Sequence, residues 1–132
     1  MVYLDANVVI YAVQVPPVFG PRAVAHLSAL RARGETLMLS DLTRMECLVG
    51  PLKSGNALLL QDYQSFFRAG AVRVVAVTAG VCDRAALIRA GTNFQAVDAL
   101  HLAAAIEHGA TRFLTSDTQL ARFTGLPVDI LP

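Results

Sequence analysis

Short apolar runs alternate along the chain with longer stretches whose apolar positions recur at helical spacing. The runs are 2–5 (VYLD), 36–40 (TLMLS), 72–77 (VRVVAV), 112–115 (RFLT) and 128–131 (VDIL). Such short, bounded runs suit strands buried on both faces. The first helix is predicted over about 7–13, ending ahead of Pro16–Pro17. Gly20–Pro21 opens the next, about 21–33, with Val24, Leu27 and Leu30 on one face and Gly34 past its end. Ser40 or Asp41 caps a third helix, expected to stop near Val49 because Gly50–Pro51 follows. A fourth, about 56–69, lies between Gly55 and Gly70, and a fifth, about 79–90, ends at Gly91. Thr92-Asn93-Phe94-Gln95 has the form of a capping box for a sixth helix running to His108, with Gly109 as its stop. Asp117 is placed to cap a short last helix.

Strands separated by helices require crossover connections, which are right-handed and give a mostly parallel sheet covered on both faces. The fold class predicted is α/β, a three-layer α/β/α sandwich, with residues 1–132 forming a single domain.

Composition sharpens this picture at a few points. With 55% apolar and 16% charged residues the chain has ample material for a core. That is more than a lone domain of this size easily buries, so part of the apolar surface is expected to meet another chain. Ten of the eleven basic residues are Arg, Lys53 being the exception, but a net charge of +1 provides no strong field for a polyanion. Cys47 and Cys82 lack metal-type spacing and read as buried thiols. No apolar run reaches the ~18 residues that span a bilayer, and the N-terminus has no basic region ahead of its apolar stretch. The expectation is a cytoplasmic protein without a membrane partner.

The chemistry is carried by acids. Asp5 closes the first strand and Asp117 follows the fourth by two residues, at the strand ends where open parallel sheets bind ligands. Glu46 and Asp98 sit inside apolar helical segments, LTRMECLVG and FQAVDALHLAAA. Around Asp98 the helix is apolar nearly all round, which predicts burial, and no Lys or Arg lies one turn away to balance the charge. Bland roles exist for the others: Asp117 as a helix cap, Glu46 in a capping box with Thr43, Asp5 bonding amides at its turn. His101, one turn after Asp98, is attractive as a ligand or base, but helix packing is the simpler expectation.

Four segments together, LDAN at 4–7, LTRMECLVGPLKSG at 42–55, VDALHLAAA at 97–105 and FLTSD at 113–117, resemble the PIN-domain family, more narrowly its VapC-type toxin ribonucleases. The resemblance spans essentially the whole chain. It implies an acidic quartet at Asp5, Glu46, Asp98 and Asp117, with Asn7, Thr43 and Thr115 orienting those acids. Ala6 departs from the family, where Thr or Ser is frequent. It also implies a cognate antitoxin whose tail covers the acidic groove, a homodimer, and an RNA substrate, transfer RNA among the candidates.

Converging acids demand a cation: two unit charges 4 Å apart repel by roughly 4 kcal/mol at an effective dielectric near 20. Mg²⁺ is the expected ion, with Mn²⁺ able to substitute, because both accept carboxylate and water oxygens. Asp5 and Asp98 are the expected direct ligands. Arg44 and Lys53 are weaker candidates for RNA contact, and base specificity is expected from 14–22 and 50–56. A dehalogenase-type phosphatase would need Asp where Asn7 stands, and a receiver domain would need a late Lys. The remaining alternatives are a PIN nuclease in RNA processing outside any toxin system and a catalytically silent PIN scaffold.

Overall fold

The computed structural model describes residues 1–132. In chain order the elements are β1 (Val2–Leu4), α1 (Ala6–Gln14), α2 (Phe19–Ala32), β2 (Leu37–Ser40), α3 (Asp41–Ser54), α4 (Ala57–Arg68), β3 (Val72–Val75), α5 (Ala79–Ala90), α6 (Ala96–Glu107), β4 (Arg112–Thr115), a 3-10 helix (Thr118–Arg122) and β5 (Val128–Ile130). The sheet has five strands in the order β3-β2-β1-β4-β5, every neighbouring pair parallel.

Each strand sends alternate residues to opposite faces. Tyr3, Met38, Val75 and Phe113 enter a core shared with α5 and α6. Val2, Leu4, Leu37, Leu39 and Leu114 enter a second core with α1 to α4. Burial on both faces is why the central strands read as unbroken apolar runs rather than alternating ones. From central β1 the chain builds outward to β2 and β3 on one side, then crosses back to lay β4 and β5 on the other. The point where strand order reverses therefore lies between β1 and β4, and a crevice opens beyond their C-terminal ends.

Two boundaries differ from expectation for identifiable reasons. Helix α3 runs through Gly50–Pro51 to Ser54. A proline inside a helix gives up one ladder bond and crowds the carbonyl a turn back, but here Pro51 is buried and its own carbonyl accepts the amides of Gly55 and Asn56. Gly55, at φ 68°, ends the helix instead. Thr92 caps the wrong helix for the expected box: its hydroxyl donates to the Ile88 carbonyl at 2.7 Å and accepts the Phe94 amide at 3.3 Å, closing off α5. Consequently α6 starts at Ala96, and Asp98 lies in its first turn, half-exposed rather than buried. The apolar character of α6 is used further along, from Ala99 to Ala105.

The cysteines also divide. Cys47 is buried, which pushes its thiol up to about 12, whereas Cys82 is exposed, contrary to expectation. No single helix is long and apolar enough to cross a membrane.

Leu102, fully buried on α6, joins that helix to the sheet. Leu102→Ala is expected to cost about 2–5 kcal/mol, read as a lower urea midpoint with an unchanged m-value. A midpoint within error of the parent would contradict this packing.

Candidate active site

Asp5 is placed by the end of β1. Its amide continues the ladder to the Leu114 carbonyl at 2.9 Å, and the backbone then turns into α1 with Asp5 as N-cap. One carboxylate oxygen, Oδ1, accepts the Ala6 amide at 2.8 Å, and Oδ2 accepts the Thr115 hydroxyl at 2.7 Å. Position 6 thus contributes its backbone, which its departure from the family leaves untouched. Asp5 is only 6% exposed. Burial raises its pKa, and Glu46 adds to the rise; His101, the Thr115 hydroxyl and the Ala6 amide oppose it.

Thr115 also organises the neighbouring acid, because its Oγ1 accepts the Asp117 amide at 3.0 Å. Asp117 then caps the 3-10 helix through the Gln119 amide at 2.9 Å. The capping role and a place at the site coexist, since a carboxylate has lone pairs to spare. Asn7 accepts the Ser116 amide at 3.4 Å and so ties the β4 loop to α1, with no bond to Asp5.

Glu46, in the middle of α3, points to His101: Nε2 lies 2.5 Å from its Oε1. His101 is 1% exposed. The same Nε2 is 3.9 Å from Asp5 Oδ1, and Nδ1 is 2.7 Å from the Tyr3 hydroxyl, which donates to Ser40 Oγ at 2.9 Å. Both ring nitrogens are thus engaged, Nε2 by the Glu46 carboxylate and Nδ1 by the Tyr3 phenol. Packing alone therefore does not describe His101. The signal available in the sequence was its spacing of three from Asp98, on one helix face.

The Asp98 carboxylate accepts no hydrogen bond within the chain, and its pKa is raised, first by burial, then by Asp5 and Asp117, with Glu46 a smaller contributor; His101 opposes them. Asp98 shares a niche with Asp117, Thr115 bonds both Asp5 and Asp117, and His101 meets both Glu46 and Asp5, so the four acids neighbour one another at the crevice mouth. Arg122 lines that niche without pairing to either of its acids. Arg44 is engaged elsewhere, 3.5 Å from Asp41 and stacked 5.1 Å above the Phe67 ring, and Lys53 is exposed in the last turn of α3. Thr43 is buried with its hydroxyl unpaired, so the box with Glu46 does not form.

As they stand, no three acidic, His or Cys side chains close on a common point tightly enough to hold an ion. The donor set still suits a hard divalent cation, being all oxygen and free of any ion pair to Lys or Arg. Asp5, Asp98 and Asp117 are free to supply oxygens, while Glu46 must share its carboxylate with His101.

Crowding of acids has a consequence for stability. The raised pKa of Asp98 means the folded protein holds that proton more tightly than the unfolded chain does. Stability is therefore lost as pH rises from the ordinary carboxylate range through the raised value. The first turn of α6 favours an acid by about 0.3–1 kcal/mol, but burial and three like charges prevail. Asp98→Asn is expected to raise the Tm at pH 7 in EDTA, the advantage fading as pH falls towards 3. An unchanged or lowered Tm at pH 7 would contradict the cluster.

Comparison with known proteins agrees with this architecture. No curated protein matches the chain. Among solved structures it is similar to VapBC2 from Rickettsia felis bound to a promoter DNA fragment, at 21% identity, covering 100% of both chains with a TM-score of 0.77. It is similar also to FitAcB from Neisseria gonorrhoeae, at 23% identity over 97% of this chain and 96% of that one, TM-score 0.74. VapC20 of Mycobacterium tuberculosis, a toxin that cleaves the sarcin-ricin loop, matches at 16% identity over 95% and 91%, TM-score 0.67. The sequence model of the PIN domain matches residues 2–126. Together with the five-stranded parallel sheet, that match shows that the chain belongs to the PIN-domain family.

Proposed function

We propose that this protein is a Mg²⁺-dependent endoribonuclease, the toxin of a toxin–antitoxin pair, acting as a single domain in the cytoplasm. The observation that carries the reading is the gathering of Asp5, Glu46, Asp98 and Asp117 at one crevice, none of them ion-paired to a Lys or Arg. PIN membership and a fold shared with toxin–antitoxin complexes support it.

Asp5 and Asp98 are assigned as direct ligands, with Glu46 and Asp117 holding a second ion or its waters. The divalent ion, Mg²⁺ or Mn²⁺, supplies an activated water and charge stabilisation at the scissile phosphate. The chain's own residues do the positioning. Thr115 and the Ala6 amide hold the two carboxylate oxygens of Asp5 in place and leave each a lone pair to spare. Thr115 simultaneously holds the backbone of Asp117. His101 retains Glu46 at the cluster through Nε2. Asn7 secures the loop that bears Asp117. RNA phosphates approach such a crevice more readily when its negative charge is offset, by the ion or by a neighbouring cation.

A cognate antitoxin is the expected inhibitor, its basic tail offsetting the same charge. Exposed Met45, Val49 and Leu52 form a stripe at helical spacing on α3, and Val15, Val18 and Phe19 are exposed at the α1–α2 turn. These are surfaces for the antitoxin or for a second copy in a homodimer.

The test is cleavage of total RNA by the purified chain with end mapping of the products. Cleavage is expected with Mg²⁺ or Mn²⁺, none in EDTA, a loss of about 100-fold or more in Asp98→Asn, and inhibition by the antitoxin. Undiminished cleavage in EDTA or by a folded Asp98→Asn protein would sink the reading.

A further inference from the structure

Beside the acids lies a polar niche of about 180 Å³, lined by Asn93, Gln95, Gln119 and Arg122 along with Asp98 and Asp117. It adjoins a shallower hollow that shares Asn93, Phe94 and Arg122. We propose that this niche seats the nucleotide next to the scissile phosphate, with Arg122 on the adjoining backbone phosphate and the three amides on the base. The proposal rests on the nuclease reading and adds a substrate subsite to it.

Three observations carry it. First, two of the four acids form one wall, so a group seated here is joined directly to the phosphate presented to those acids. Second, the other polar side chains are uncommitted. Gln119 bonds Asp117 through its backbone amide, and its side chain, like those of Asn93 and Gln95, has no partner within the chain. An amide offers both a donor and an acceptor, the combination that reads the edge of an unstacked base. Third, Arg122 is held in place without being neutralised. Its guanidinium lies 5.0 Å above the Phe94 ring, and Phe94 is buried and braced edge-on by Phe123 at 6.2 Å. Although two carboxylates share the niche, Arg122 forms no ion pair with either. A stacked, planar guanidinium with free donors suits a phosphate, which it can grip with two parallel bonds.

Arg122 thus supplies, at the edge of the acidic cluster, the positive charge that Arg44 spends on Asp41 and Phe67. The niche has little apolar lining, which favours a nucleotide over a protein side chain. Specificity is thereby assigned to the α5–α6 turn and the 3-10 helix rather than to residues 14–22 and 50–56.

The experiment measures binding of a fluorescein-labelled, mixed-sequence single-stranded RNA 12-mer by anisotropy in EDTA, and separately maps cleavage sites in total RNA with Mg²⁺. Arg122→Ala should weaken binding about tenfold and lower the slope of log affinity against log salt by about 0.7, one phosphate contact on a single strand. Gln119→Ala, at an exposed position unable to compromise folding through its side chain, should leave that slope unchanged and redistribute the cleavage sites. Arg33→Ala, at the opposite end of the strands, should do neither. The proposal is overturned if Arg122→Ala and Arg33→Ala weaken binding equally. It is also overturned if both niche variants bind and cut like the parent, or if they impair only inhibition by the antitoxin. Failure of the parent to cleave any RNA would remove the nuclease reading, while the anisotropy arm would still decide whether the niche holds RNA.

Discussion

Like charges brought together in a half-buried crevice repel one another, and the fold holds four of them there. Asp5 ends the most central strand, Asp117 follows its neighbour β4, Glu46 comes from a helix on one face and Asp98 from a helix on the other. The reversal of strand order between β1 and β4 opens the space they face. Two cores, one on each side of the sheet, hold the backbone rigidly enough to keep the acids from separating. Burial first, and then the neighbouring acids, hold the Asp98 carboxyl above the ordinary carboxylate range, in keeping with that crowding.

His101 moderates the repulsion from within. It bridges Glu46 and the buried Tyr3–Ser40 pair, and its ring stands 5.7 Å from Tyr3, which in turn stacks on Phe113 at 5.3 Å. Burial raises the pKa of the Tyr3 phenol well above its ordinary value, so the phenol remains neutral and works as a hydrogen-bond relay. The acidic edge is thus tied to the core by one hydrogen-bonded chain, Glu46–His101–Tyr3–Ser40, that crosses from α3 to α6 to β1 to β2. Networks of this kind hold only when every member is satisfied.

Much of this was legible in the residues. Strand ends at Asp5 and Thr115 follow from short apolar runs, and the parallel sheet follows from the alternation of strands and helices. What escaped were effects decided by tertiary contact. Pro51 looks like a helix end, yet it is buried and costs one ladder bond. Thr92 has the spacing of an N-cap but bonds back to Ile88. That displacement moves Asp98 to the helix start and explains why its predicted burial is only partial. The partner of His101 was hidden because Glu46 lies 55 residues away, and no local pattern encodes that pairing. The niche around Arg122 is equally non-local, assembled from the α5–α6 turn and the 3-10 helix.

The central claim is that these acids share a divalent ion, and equilibrium binding measures it without reference to any RNA. Titration calorimetry of the parent chain with Mn²⁺ at pH 7 should show saturable binding that a double variant, Asp5→Asn with Asp98→Asn, abolishes while remaining folded by circular dichroism. Equal Mn²⁺ affinity in the two proteins would contradict the account.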